Sequence, residues 1–286
     1  MRETVKNRRK YIMGFDITYH PISIEEMNKW FFEPIEALNN GDDSVLKRVI
    51  ESQSDDFYAE KYEFILKDIA SRYTEFPSEK GLLYAMANCI GLFHKYQYVR
   101  GSAFSFLIER EAVMDKYHTP WKDVIPDWVP EPESDLIAEN YSSGIFIGPD
   151  RVKELLADNQ SDENVHSILL NFFGERNLEV FLKALNDAAD TNSGLIEAAE
   201  VMEVNPFELN QSSCYSDIRN CDPEGAFIYQ DVAMEQVKDA TGMNADEIAQ
   251  KVVYQKTDID IPDSKGNSEK SSEPKKGILS RLFKKK

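Results

Sequence analysis

Apolar residues recur at helical three-to-four spacing through most of this chain, whereas strand-like runs are short, few and irregularly placed. A doubly wound parallel fold needs strands and helices in regular alternation, so the pattern predicts an α+β protein, predominantly helical with a few short strands. Of the 286 residues 42% are hydrophobic, enough to bury one large core or two modest ones.

Met13 opens the first stretch with regular patterning, in which Phe15, Ile17 and Tyr19 alternate as in a strand that Pro21 is expected to end. Ser23 and Glu26 then have capping-box spacing, and Ile22 stands where it can staple against Met27. The helix they start carries Trp30, Phe31 and Phe32 as core anchors. Further helices are expected after Asp42-Asp43-Ser44, over Tyr58 to Tyr73, and after Pro77-Ser78, where Cys89 lies on a buried stripe. Gly101 interrupts the pattern, and Phe104, Phe106 and Ile108 alternate as in a half-buried strand, with helix as the alternative.

Pro120, Pro126, Pro130 and Pro132 exclude both a regular helix and a central strand between His118 and Ser134. Trp121 and Trp128 suggest that this segment lies down on the body, and it is the expected division between two subdomains. Beyond it, Gly144 to Ile147 reads as a strand, and helices follow through Val152, Val165 and Leu178, with Gly174 as a C-terminal cap. Leu195 to Val204 fits helix or strand, Ala226 to Tyr229 reads as a strand, and helices are expected over Val232 to Ala240 and Asn244 to Val253. The expected organisation is a basic extension over 1–12, a globular body over 13–256, and a disordered linker with a basic amphipathic tail over 257–286.

The net charge of −18 hides an asymmetry: residues 1–12 carry +4 and 264–286 carry +6, leaving −28 on the body between them. Such a body argues against nucleic acid, whose recognition depends on clustered basic residues, and favours a basic protein partner drawn in at long range. It also matches acidic bacterial proteins that are simply well solvated. Cys89, Cys214 and Cys221 form an odd set in a chain too large to need disulfide staples, so reduced thiols and a cytoplasmic setting are expected. No apolar run approaches the roughly 20 residues that span a bilayer.

The sequence contains neither a P-loop nor a G-x-G-x-x-G turn, and its His and Cys spacing defines no metal site, so no cofactor and no metal are expected. Asp16 and His20 share one face of a strand, and Asp222 with Glu224 lies in a turn before the expected 226–229 strand; these four are the polar site candidates. If Leu195 to Val204 is helical, Glu197, Glu200 and Glu203 line one face of it as a solvated row. His166, four residues after Asp162, reads as half of a surface ion pair, and His94 as a buried histidine beside the Cys89 helix.

The tail offers a mechanism: Ile278, Leu279, Leu282 and Phe283 can share one side of a short helix, with Lys275, Lys276, Arg281 and Lys284 among the flanking cations. Each cation near an anionic membrane is worth about 1 kcal/mol. The linker reaches roughly 20 to 25 Å, beyond the Debye length of about 8 Å. Trp121, Trp128 and these tail residues are the candidate interaction residues. The expected function is protein binding by an acidic body, as in an immunity protein, inhibitor or adaptor. The alternatives are a hydrolase assembling Asp16, His20 and the 222–225 turn, and a peripheral protein held at the inner membrane face by its tail.

Overall fold

Hydrogen bonding on both sides makes β1 (Asp16–Ile22) a central strand, and all seven of its residues are buried. In the computed structural model, which describes residues 14–53, 55–72 and 79–251, β1 pairs antiparallel with β2 (Tyr96–Arg100). The sheet continues through β3 (Ser143–Ile147) and β4 (Gly194–Ala199), while β5 (Met202–Glu203) and β6 (Ser213–Cys214) form a separate two-stranded ribbon. With β7 (Cys221–Asp222) the five-stranded order is β3-β4-β1-β2-β7, and only the β2–β7 pairing is parallel.

Alternate residues of each strand face opposite layers. Phe146, Ile196 and Ala198 pack with the first helical layer. That layer holds α1 (Ile24–Met27), a π turn over Asn28–Phe32, α2 (Glu33–Asn39), α3 (Ser44–Glu51), α4 (Asp56–Arg72) and α5 (Glu79–Ile90). Ile17, Tyr19, Val99, Ile145 and Leu195 face the second layer, formed by α6 (Phe104–Arg110), α7 (Pro149–Ser161), α8 (Glu163–Phe173) and α9 (Glu175–Asp190). Two more helices follow, α10 (Glu224–Thr241) and α11 (Ala245–Lys251). The chain is thus α+β and mostly helical.

Local chemistry explains several of these boundaries. Ser23 Oγ accepts from the Glu26 N–H, and the Glu26 carboxylate returns a bond to the Ser23 N–H, so the capping box is formed. Asp42 accepts from the N–H of Ser44 at the start of α3, and Asn244 exchanges reciprocal bonds with Glu247 ahead of α11. Asp162 caps α8 through the N–H groups of Asn164 and Val165.

Four expectations are corrected. Pro21 does not end β1: it lies inside the strand, where the pairing with β2 has stopped at Tyr19 and only β4 continues alongside. Phe104 to Ile108 is helix, because Gly101 turns the chain at φ +76° and the buried Phe104, Leu107 and Ile108 then follow helical spacing. Ala226 to Tyr229 belongs to α10, which starts at Glu224 where Asp222 Oδ1 accepts its N–H. Glu197, Glu200 and Glu203 do not line a helix: Glu197 is buried in β4, Glu200 is buried beyond the end of that strand, and Glu203 lies in β5.

The proline-rich segment packs on the body. Trp121 is fully buried, stacks on Phe146 at 5.5 Å and donates from Nε1 to the Gly144 carbonyl at 2.8 Å. Trp128 meets Phe32 edge-on at 6.0 Å. His118 sits 2.8 Å from Asp135 and 3.4 Å from Asp115. Strands from before and after this segment share one sheet. The 1–12 extension, Met13, Tyr73, Pro77-Ser78, Val253 and the 257–286 tail lie outside the described residues.

The approach of α10 to β2 depends on Gly225, where an added methyl would overlap the Tyr98 carbonyl oxygen. Overpacking against backbone typically costs about 1 to 3 kcal/mol. Gly225→Ala is expected to lower the unfolding free energy by that amount in urea titration, and an unchanged midpoint would contradict this packing.

Candidate functional site

One polar face of β1 is held entirely inside the protein. The Asp16 carboxylate accepts from Tyr98 Oη at 2.5 Å and pairs with Arg100 at 2.7 Å, and the Arg100 guanidinium lies 4.9 Å from the Tyr229 ring centroid. Glu200 adds a backbone bond to the Asp16 carbonyl at 2.6 Å while held at φ +67°, and its carboxylate accepts from the Asp16 N–H at 3.3 Å. His20 lies 2.8 Å from Thr18 Oγ1 and stacks on Tyr96 at 4.7 Å. Burial drives its pKa down to about 3, so the ring is neutral at physiological pH.

Asp16 and His20 thus share a face but hold separate partners, and neither lines either of the two cavities described below. They are central-strand groups rather than an edge pair. Glu197, on the other face, accepts from Ser105 and from Tyr19 Oη; burial raises its pKa against those bonds.

Asp222 and Glu224 both accept from Lys183 Nζ, at 2.8 and 3.3 Å, beside a cleft of about 260 Å³ that Arg176 and Phe227 also line. Burial raises the Asp222 carboxyl, but the Lys183 and backbone bonds outweigh it and hold the group below its ordinary range. His166 does not pair with Asp162, which is occupied as a helix cap; its Nδ1 lies 3.1 Å from Asn159.

A larger groove of about 720 Å³ runs between the π turn, α3, the start of α4 and the loop before β7. The π turn buries Phe31 and Phe32 and leaves Trp30 half-buried, stacked on Phe93 at 4.7 Å and tilted against His94 at 4.8 Å. His94 is therefore not a buried histidine: its side chain is 39% exposed, and Nε2 lies 3.1 Å from Glu26. Burial raises the Glu26 carboxyl, but the Ser23 bonds and His94 outweigh it, so the group that caps α1 stays ionised at the groove's edge.

Loop residues form the opposite wall, and the C-terminal end of α5 positions them. Helix ends leave carbonyls without intrahelical donors. Here Ser216 Oγ donates to the Asn88 carbonyl, and Asn220 Nδ2 donates to those of Gly91 and Leu92. A methyl at Gly91 would overlap Ser216 Oγ, so the close approach requires glycine. Lys61, whose pKa burial lowers, donates to the Ser216 carbonyl at 2.9 Å.

This anchoring presents Arg219. Its guanidinium grips Asp217 through Nε at 3.0 Å and Nη2 at 2.8 Å, reaches Asp55 at 3.0 Å, and lies 4.6 Å from the Tyr58 ring centroid. Burial raises the Asp217 carboxyl, but the Arg219 bonds prevail and lower it; burial and Asp217 together push the Tyr58 hydroxyl up to about 12. Beside this wall Phe57 is 64% exposed, and Phe64, two turns along the same face of α4, is 48% exposed. Ile218, just before Arg219, is 42% exposed.

Comparison of the chain with protein-family models, with curated proteins and with solved structures finds no match. Among the described residues, no three His, Cys, Asp or Glu side chains gather as a metal site, and no helix is long and apolar enough to cross a membrane. The sequence candidates Trp121 and Trp128 are packed into the body, while Lys275, Lys276, Ile278, Leu279, Arg281, Leu282, Phe283 and Lys284 lie outside the described residues. The groove residues Tyr58, Phe93, Asp217 and Arg219 were not candidates from the sequence. Their one local signal is Asp217 two residues before Arg219.

His20 gives the site region a pH signature. The unfolded histidine binds a proton near pH 6.5 while the folded one resists until about 3, so stability falls as pH drops through that window. The slope contributed is about 1.4 kcal/mol per pH unit. His118 works oppositely: burial lowers its pKa, but Asp135 and Asp115 outweigh that and raise it, so its contribution is present below pH 6.5 and lost above. His20→Phe is expected to flatten the fall in urea stability between pH 6 and 4, and an unchanged slope would contradict a neutral buried His20.

Proposed function

We propose that this chain is a protein-binding module whose acidic body draws in a basic protein and whose Trp30–Tyr58–Arg219 groove makes the contact. One observation carries the proposal: the groove gathers a half-buried Trp, a Tyr and an Arg beside exposed Phe57, Phe64 and Ile218. Trp, Tyr and Arg are the residue types that dominate binding energy at protein interfaces.

The charge distribution supports a division of labour. The groove's Lys29, Arg48 and Arg219 are balanced by Glu33, Asp55 and Asp217, in a body that carries −28 overall. Arg219 is already paired, so covering it with a partner buries a satisfied ion pair rather than a bare charge. The surrounding acidic field acts at longer range, where it accelerates encounter with a cationic protein.

The test begins with capture of partners from the source lysate on the immobilised full chain, followed by kinetics with the partner retained. Raising salt is expected to slow association, because steering is screened. Phe57→Ala and Trp30→Ala are expected to speed dissociation by about 30-fold, the effect of losing a contact worth about 2 kcal/mol. Leu170→Ala, on the remote helix α8, is the control and should change neither rate. Groove variants that bind like the parent chain, or an association rate insensitive to salt, would overturn the proposal.

A further inference from the structure

The smaller cleft opens between α9 and the start of α10, and its charges do not cancel. Pro223, Phe227 and Ile228 form its apolar wall, and Phe227 is 51% exposed. Arg176 is taken up by Asp231 at 2.7 Å, and Lys183 is shared between the carboxylates of Asp222 and Glu224. Glu179, also in the wall, is exposed and has no hydrogen bond or ion pair among the described residues. Four carboxylates thus face two cations. Over their full lengths α9 carries −2 and α10 −3, and Asp222 brings the total to −6.

We propose that residues 275–286 of this chain dock on that cleft in cis and cover its acidic, apolar surface. The segment KKGILSRLFKKK carries six cations and no acid, so its +6 offsets the −6 of the cleft and its helices. Leu282 and Phe283 supply apolar side chains for the Pro223–Phe227–Ile228 wall, and cations stand on either side of them at Arg281 and Lys284. Exposed ion pairs contribute little by themselves. Apolar burial therefore supplies the affinity, while the uncompensated carboxylates select a basic occupant.

The tail can reach this site. Gly242, at φ +71°, ends α10, and α11 packs against it. The 18 residues of α10 span about 27 Å. A linker with the polar composition of 257–274 averages roughly 20 to 25 Å and extends to about 60 Å at most. A tether that matches its span holds the segment at an effective concentration on the order of millimolar. A weak contact is filled at that concentration within one molecule, whereas between two dilute copies it is not. No residue of the cleft lines the Trp30–Tyr58–Arg219 groove, so the docking does not depend on what the groove binds.

The experiment treats the dilute full chain with a carbodiimide, which joins a lysine amine directly to a carboxylate, and maps the links by peptide mass spectrometry. An equal mixture of isotope-labelled and unlabelled chain separates links within one molecule from links between two. The expected links join Lys275, Lys276 or Lys284 to Glu179, Asp222 or Glu224 within one molecule. Glu179→Lys and Phe283→Ser should each reduce the links to Asp222 and Glu224 about fivefold, with the circular dichroism of the parent chain retained. Links absent from the cleft, or spread over the body's carboxylates and unchanged by either variant, would overturn the proposal. Links found only between two molecules would overturn it too. Binding to phosphatidylserine vesicles, with no link in cis in their absence, would assign the tail to a membrane surface instead. Mapping needs no binding partner, so its outcome is independent of whether the groove binds a basic protein.

Discussion

Much of the architecture depends on β1 being covered from every direction. Two neighbouring strands take its backbone groups and two helical layers cover its faces, yet it carries Asp16, Thr18 and His20. Polar groups withdrawn from water must find partners inside or incur a large desolvation cost. Arg100 and Tyr98 on β2 answer Asp16, and Thr18 with the Tyr96 ring answers His20. The register between β1 and β2 is thereby specified by paired chemistry as well as by shape, since a one-residue slip would separate every one of these groups.

The neighbouring strand β2 explains why the groove lies where it does. Tyr96 stacks on His20, pairs in register with Cys221 and donates to the Asp217 carbonyl. The loop before β7 is therefore tied to the sheet through Tyr96 and to α5 through Ser216 and Asn220. A surface built on such anchors is pre-organised, and pre-organisation lowers the entropy cost of binding. Arg219 is correspondingly held in place by two carboxylates and an aromatic ring.

Features with local causes were legible in the sequence. The Ser23–Glu26 box, the Asp162 cap and the apolar stripes of α4, α5 and α8 each follow from residues within one or two turns. Features with distant causes were not. Glu197 looks like part of a solvated helical row until Ser105 and Tyr19 are seen to satisfy it inside β4. Ala226 to Tyr229 has the composition of a strand but lies in α10, which starts beside Asp222 and approaches β2 closely at Gly225. Trp30 lies in a helical run with Phe31 and Phe32 as its spacing predicts, but it is no core anchor: the π turn leaves it half-buried and turns it toward Phe93. Arg219 carries little local signal because Asp55 and Tyr58, which define its role, stand far away in the chain.

A basic protein is proposed to dock on the Trp30–Tyr58–Arg219 groove. The most direct measurement is amide hydrogen exchange of the full chain, free and bound to the partner it captures. Docking in the groove should add protection concentrated in the π turn, the first turns of α4 and the Ile218–Asn220 segment, with α7 to α9 unchanged. Protection confined to the α7–α9 layer, with the groove exchanging as in the free chain, would contradict it.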